Sequence, residues 1–310
     1  MSTAEATQFE AHRPLMLSIA YRMLGSATEA EDIVQEAYLR YQATPAAEIV
    51  SHKAFLSTIV TRLCLNQLQS ARAQREAYIG PWLPEPVLTG ADERFAPTQH
   101  AELHESLALA FLVLLEQLSP VERAVFLLRE VFDYDYAEIA VILGKTEPAC
   151  RQLFSRAKRH IAAGRPRFTS SPEAQREIFA QFLRATEQGD LDGLMQLLAD
   201  DVELWVDGGG KVQGAATRPV QGRNAVAQFL SAAGRRASPG TRVGVADVNG
   251  EPALMVRDAN GVRLVLSIGV EAGRIRTMRA IRNPDKLHDL NRALRAAEGE
   301  EGAADGTMTG

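Results

Sequence analysis

The sequence predicts a multidomain protein: two all-α helical segments, the second carrying a helix-turn-helix, followed by an α+β domain. Three observations predict it. Apolar residues recur at helical spacing across residues 9–78 and again from Ala101 to Ala163. A short capped helix, a glycine turn and a second capped helix follow one another between Leu118 and Ile161. Beyond Pro172 the pattern shifts from helical spacing to period-two segments divided by glycine turns, and helices followed by a hairpin-rich sheet read as α+β.

In the first segment, Thr28 and Glu31 are spaced as a capping box opening EAEDIVQEAYLRYQ, and Pro45 closes that helix. Residues 79–99, IGPWLPEPVLTGADERFAPTQ, hold four prolines and two glycines, so residues 79–100 read as a linker. In the second segment, residues 101–164, Ser119 caps a helix with Pro120 in its first position and Glu122 returning the bond. A short helix from Tyr136 to Leu143 ends at Gly144, and Thr146 caps the next, where Pro148 falls harmlessly in the first turn. On that last helix Cys150, Leu153, Phe154, Ala157 and Ile161 form an inward stripe, leaving Arg151, Gln152, Ser155, Arg156 and Arg159 on the opposite face. An arginine- and glutamine-bearing helix suits the DNA major groove, where both side chains make two-point contacts to base edges.

Residues 165–171 read as a second linker and 172–290 as the α+β domain. Helices are expected at Pro172–Gln188, Leu191–Leu198 and Asn224–Ala233. Strands are expected at Val202–Val206, Ala253–Asp258, Val262–Val270 and Arg274–Ala280, with turns at Asn249-Gly250, Asn260-Gly261 and Ala272-Gly273. The small, acidic residues 291–310 read as a disordered tail.

Composition narrows the function classes. The net charge of −5 argues against a general nucleic-acid binder, yet between Lys145 and Arg167 seven basic residues stand against Glu147 alone. Acid gathers instead at Glu29, Glu31, Asp32 and Glu36, the pattern of a solvated face or a protein-binding one. No apolar run approaches the ~20 residues of a membrane span, and MSTAEATQFEAHR lacks a signal-peptide layout, so a cytoplasmic protein without membrane contact is expected. Cys64 and Cys150 are far apart, with no ligand spacing around them; they read as reduced packing thiols, and neither metal nor cofactor is expected.

The order of these parts resembles the extracytoplasmic-function (ECF) sigma factors, over residues 9–163. The run EAEDIVQEAYLR, residues 29–40, resembles the family's polymerase-binding helix, which implies Asp32, Gln35 and Glu36 as contacts to core RNA polymerase. The run HKAFLSTIVTRLCLNQLQSARAQRE, residues 52–76, resembles the segment that melts and reads the minus-ten element, with Phe55, Ile59, Leu63 and Leu68 inward and Arg62, Asn66, Arg72 and Arg75 toward DNA. Phe55 and Asn66 stand where relatives tend to carry Trp and Asp, so no base-specific pairing is assigned. The resemblance implies that Arg151, Gln152, Ser155, Arg156 and Arg159 read the minus-thirty-five duplex. The remainder is similar to the sigma factors with a SnoaL-like C-terminal domain, a cone-shaped sheet. Three strings carry that likeness: Trp82-Leu83-Pro84-Glu85-Pro86, Asp207-Gly208-Gly209-Gly210-Lys211 and Asn283-Pro284-Asp285-Lys286-Leu287.

These strings favour contacts over catalysis. Trp82 is an amphipathic anchor stiffened by neighbouring prolines. The glycine run presents bare amides suited to clasp Glu85 or a nearby carbonyl, with Lys211 pairing with acid. It lacks the spacing and following helix of a phosphate loop. None of the six histidines lies between Pro172 and Arg282, and no pair of carboxylates is arranged for acid–base work, so the protein is not expected to be an enzyme. The expected function is promoter-directed initiation with core RNA polymerase and promoter DNA as partners, regulated in cis by the C-terminal domain without a separate anti-sigma protein. A small ligand in the C-terminal cavity is left open. The alternatives are a ligand-controlled helix-turn-helix repressor and a cyclase-like enzyme fused to a regulatory module.

Overall fold

A computed structural model describes residues 3–89, 106–164, 171–235 and 240–305, side chains excepted at 3–5, 71–76, 164 and 297–305. The described residues divide into two compact units, one drawn from Met1–Ala77 and Arg94–Arg165, the other from Tyr78–Glu93 and Pro166–Gly310.

The first unit is helical. Its first lobe contains α1 (Thr3–Leu24), α2 (Ala27–Ala43), a 3-10 turn (Ala46–Glu48) and α3 (His52–Glu76). Helix α2 starts earlier than expected: Ser26, not Thr28, is the N-cap and accepts from the Glu29 amide. The buried row of α3 is Leu56, Val60, Leu63, Cys64 and Leu68, and α3 packs against α1, where Met16, Leu17, Ala20 and Tyr21 are buried. Phe55 and Ile59, expected inward, lie half-buried, because the helix is turned to put Leu56 and Val60 at the centre.

The second lobe contains α4 (Leu109–Leu115), α5 (Pro120–Phe126), a π-helical turn (Leu127–Val131), α6 (Tyr136–Leu143) and α7 (Glu147–Gly164). The Ser119–Glu122 capping box and Pro120 at the start of α5 form as expected. Helix α6 carries a second capping box, Asp135 with Glu138, and ends at Gly144 with φ +62°. Thr146 Oγ1 accepts from the Ala149 amide and caps α7. Val125, Leu128, Tyr134, Ile139, Ile142 and Cys150 form the buried centre of this lobe.

The second unit is α+β. Helices α8 (Pro172–Gln188), α9 (Leu191–Leu197) and α10 (Arg223–Gly234) accompany a six-stranded sheet. In chain order the strands are β1 (Leu198–Asp207), β2 (Val220–Gln221), β3 (Arg242–Val248), β4 (Glu251–Asp258), β5 (Gly261–Glu271) and β6 (Arg274–Ile281). Their spatial order is β2-β1-β6-β5-β4-β3. Strands β3 to β6 form a meander, while β1 pairs with β6 in parallel. The Asn249-Gly250 and Ala272-Gly273 loops have positive φ at both residues, the backbone that tight two-residue hairpins need. Phe179 and Phe182 of α8 and Val226 of α10 pack with Leu204, Val206, Leu254, Leu266, Ile268 and Met278 on the inner face of the sheet.

Helix α11 (Pro284–Asp305) follows the sheet. The tail expected to be disordered from residue 291 is therefore helical as far as Asp305. Alanine, leucine, arginine and glutamate dominate it, all strong helix formers, so propensity outweighs the low-complexity composition.

Candidate functional site

Helix α7 owes its two faces to its sequence. Cys150, Ala157 and Ile161 are buried and Leu153 and Phe154 half-buried, so the stripe expected inward does face the lobe. Arg151, Gln152, Ser155, Arg156 and Arg159 are all exposed. The basic groups rest on local partners: Arg151 on Glu147 at 2.7 Å and over the Tyr136 ring, Arg156 on Glu122 at 3.6 Å, and Lys158 on Glu130 at 3.0 Å. Solvent-exposed pairs of this kind are worth at most about 1 kcal/mol. A phosphate can therefore take over these cations at little cost.

In the first lobe, Asp32 and Gln35 are exposed and Glu36 is half-buried, paired with Arg40 at 2.9 Å. Leu39, 54% exposed, lies one turn beyond Gln35 and Glu36. On α3, Asn66 is exposed. Arg62 was expected to stand available to DNA. Its guanidinium instead donates from Nε to the Ile142 carbonyl at 3.0 Å and from Nη2 to the Val141 carbonyl at 3.2 Å, because the last carbonyls of a helix lack intrahelical donors. The side chains of Arg72 and Arg75 lie outside the described residues.

The second unit contains a buried polar centre where all three marked strings meet. Asp207, at the end of β1, is fully buried. Its carboxylate accepts from the Leu83 amide at 2.8 Å, from Lys286 Nζ at 2.7 Å and from the Tyr78 hydroxyl. Lys286 also donates to the Leu83 carbonyl, and its ammonium lies 4.1 Å from the centre of the Trp82 ring and 4.9 Å from that of Tyr78. Asn283 Nδ2 donates to the Tyr78 oxygen at 2.8 Å, while the Arg282 and Asn283 amides both donate to the Asp207 carbonyl. Burial, with the Asp207 carboxylate beside it, pushes the Tyr78 hydroxyl far above its ordinary range, so its proton stays in place.

The glycine run is required by this packing. A Cβ on Gly209 would lie 2.3 Å from Asn283 Nδ2, and one on Gly210 would lie 2.9 Å from Ile79 Cδ1. Gly208 is packed just as tightly, with Ala215 Cβ 2.5 Å from where its Cβ would fall. Lys211 pairs with Asp285, as the expectation of an acidic partner required, but both are more than half exposed. Leu83, Pro84, Glu85 and Pro86 are buried, Trp82 is half-buried, Leu287 is buried and Pro284 is exposed.

Sequence reading put Glu85 or a neighbouring carbonyl against the glycine run; the linker is held through Tyr78, Trp82 and Leu83. The signal for Asp207 was a carboxylate inside an apolar strand end. Tyr78 carried none, since a tyrosine beside a helix end is unremarkable. A further anchor was missed. The Val87 amide donates to Asn249 Oδ1, the Asn249 amide to the Val87 carbonyl, and Leu88 forms a single antiparallel bridge to Val248, so the linker is pinned at the end of β3.

Known proteins with similar parts fall in the same order along the chain. Residues 8–74 match the Sigma-70 region 2 family, residues 108–161 Sigma-70 region 4, and residues 179–281 the SnoaL-like domain. The ECF RNA polymerase sigma factor SigJ of Mycobacterium tuberculosis is 38% identical over 91% of this chain and 93% of its own. The chain belongs to the ECF RNA polymerase sigma factors. A probable ECF sigma factor of the same organism, SigI, is 31% identical over 92% of this chain and 96% of its own. The crystal structure of SigJ matches with a TM-score of 0.72 at 34% identity, covering 91% of this chain and 98% of that one.

As a sigma factor the protein directs promoter-specific initiation by RNA polymerase, and its family consists of non-enzymatic regulators of transcription. The repressor alternative is set aside by this membership. The two regions typical of the sigma factor lie in the helical unit, and the SnoaL-like domain lies in the α+β unit. Among the described residues, no helix is long and apolar enough to cross a membrane and no group of side chains is arranged to hold a metal ion.

Proposed function

We propose that this sigma factor is regulated in cis by its SnoaL-like domain, which grips the linker between the region 2 and region 4 segments. The Asp207–Lys286 pair is the observation that carries the reading: two buried charges hold the Leu83 backbone from both its amide and its carbonyl. A gripped linker samples fewer conformations than a free one. A difference of a few kcal/mol in grip between two states suffices to shift which spacing of the DNA-reading segments is populated.

In this reading Asp32, Gln35 and Glu36 meet core polymerase. Arg62, Asn66, Arg72 and Arg75 meet the minus-ten strand. Arg151, Gln152, Ser155, Arg156 and Arg159 meet the minus-thirty-five duplex. The protein works in the cytoplasm without catalytic turnover, cofactor or separate anti-sigma protein. The inner face of the sheet is lined by buried apolar side chains, which supports regulation by contact rather than by turnover.

Promoter-specific transcription with core polymerase, comparing the wild type with Trp82→Ala and Lys286→Met, tests this. Both variants should shift transcript yield several-fold while α-helical circular dichroism is retained. Unchanged promoter output in both would overturn the proposal.

A further inference from the structure

Among the five α7 side chains assigned to the minus-thirty-five duplex, Arg151 differs in what it rests on. Its guanidinium carbon lies 4.6 Å from the centre of the Tyr136 ring, and its Nη2 pairs with Glu147 at 2.7 Å. Arg156 reaches Glu122 at 3.6 Å and Arg159 the Ser155 carbonyl at 3.4 Å, and neither lies over a ring among the described residues. The Tyr136 ring is itself fixed. Tyr136 opens α6 behind the Asp135 cap and is half-buried. It meets Phe154 edge-on, with ring centres 6.1 Å apart at 74°, and Phe154 stacks in turn on Phe126 at 6.1 Å. Arg129, anchored on the Tyr134 carbonyl at 2.9 Å, also lies over the Tyr136 ring, 5.4 Å from its centre.

We infer that Tyr136 is a positioning residue: its ring holds Arg151 ready to read a base, which makes Arg151 the specificity-determining side chain of α7. The inference rests on the reading of α7 as the minus-thirty-five helix and is independent of the linker grip. An arginine that packs its flat face on an aromatic ring keeps its N–H edge free. That edge makes the two-point contact to O6 and N7 of guanine. A side chain already held by a ring also loses less rotamer freedom on binding than one free in water. Position agrees, because the residues at the start of a recognition helix meet base edges. Arg151 lies near the start of α7, whereas Arg156 and Arg159 lie more than one turn beyond it, where a phosphate is the nearer target. The Glu147 pair does not stand in the way. Both its members are exposed, 57% and 43%, so water and a base edge compete for it readily. The ring contact uses the face of the guanidinium and survives that exchange.

The test uses the full chain bound to core polymerase. This holoenzyme selects from a duplex library randomised across the minus-thirty-five element, and sequencing gives the preference at each base pair. The wild type should show a guanine preference that Arg151→Ala removes. Tyr136→Phe should keep it, because a phenyl ring retains the negative face that attracts a cation. Tyr136→pentafluorophenylalanine keeps the shape of the phenyl ring and reverses the charge of its face, so packing is preserved while the attraction is lost. It should weaken that same preference about two- to fivefold, the span of an exposed cation–π contact, and leave the other base pairs alone. In the Arg151→Ala background the fluorinated ring should change nothing further. A guanine preference that survives Arg151→Ala overturns the assignment of Arg151 to the minus-thirty-five duplex, and this inference with it. A preference lost with Arg151→Ala, yet equal in the phenyl and fluorinated proteins, overturns the positioning by Tyr136 alone. Weakening at every base pair alike would make Tyr136 a structural residue of the lobe and overturn it as well.

Discussion

Replacing Lys286 by methionine isolates the charge at the centre of the linker grip. Methionine keeps much of the length and apolar stem but removes the ammonium. Lys286 is 7% exposed and Asp207 fully buried, at 2.7 Å. Removing one member of a buried ion pair strands the other, typically at about 3–5 kcal/mol. Asp207 would keep the Leu83 amide and the Tyr78 hydroxyl as donors, which places the cost near the lower end, at about 3 kcal/mol. The chain's two tryptophans are Trp82 and Trp205, both in the α+β unit, so tryptophan fluorescence in urea follows that unit by itself. With an m value of about 2 kcal/mol/M, the midpoint should fall by about 1.5 M. Asp207→Asn should also destabilise, and the double variant should lose less than the sum, with a coupling of about 2 kcal/mol. A loss below about 1 kcal/mol for Lys286→Met, or an additive double variant, would refute the reasoning.

Two further outcomes follow from the same site. Gly209→Ala and Gly240→Ala both place alanine at positive φ, but only the first drives a Cβ into Asn283, at 2.3 Å, while nothing lies within 4 Å of the second. Gly240→Ala should cost about 1 kcal/mol and Gly209→Ala more than about 2 kcal/mol in urea unfolding, and equal costs would remove the steric argument. Tyr78 has a folded pKa raised above its unfolded one, so its contribution is fully present below the ordinary tyrosine range and is lost as pH rises beyond it. Wild-type stability relative to Tyr78→Phe should thus stay constant from about pH 6 to 9 and fall above about pH 10; parallel profiles across that range would show that the hydroxyl is not so held.

The helix-turn-helix was legible residue by residue because its determinants are local. A capping box, a proline in a first turn and a glycine at positive φ each act within four residues, and the apolar stripe of α7 states its buried face outright. The two extra residues at the start of α2 were missed because Ser26 and Thr28 are equally good caps, and only the packing of Ala27 and Ala30 selects the first. Strand β3 was missed because RVGVADV is a largely exposed edge strand with little apolar signal, and β2 because two residues carry no period. Leu39 escaped notice because exposure of a leucine is invisible until the helix is docked.

The marked strings announced a contact, yet not its chemistry. By itself the sequence determined the class of each segment, the helix caps, the hairpin turns and the exposed face of α7, all set by interactions a few residues long. Tertiary structure alone decided the parallel pairing of β1 with β6, the burial of Asp207 against Tyr78 and Lys286, and the bonding of Arg62 to the end of α6. Those partners stand from 74 to 129 positions apart in the chain, and which distant carbonyl or carboxylate a buried donor finds depends on how whole elements pack.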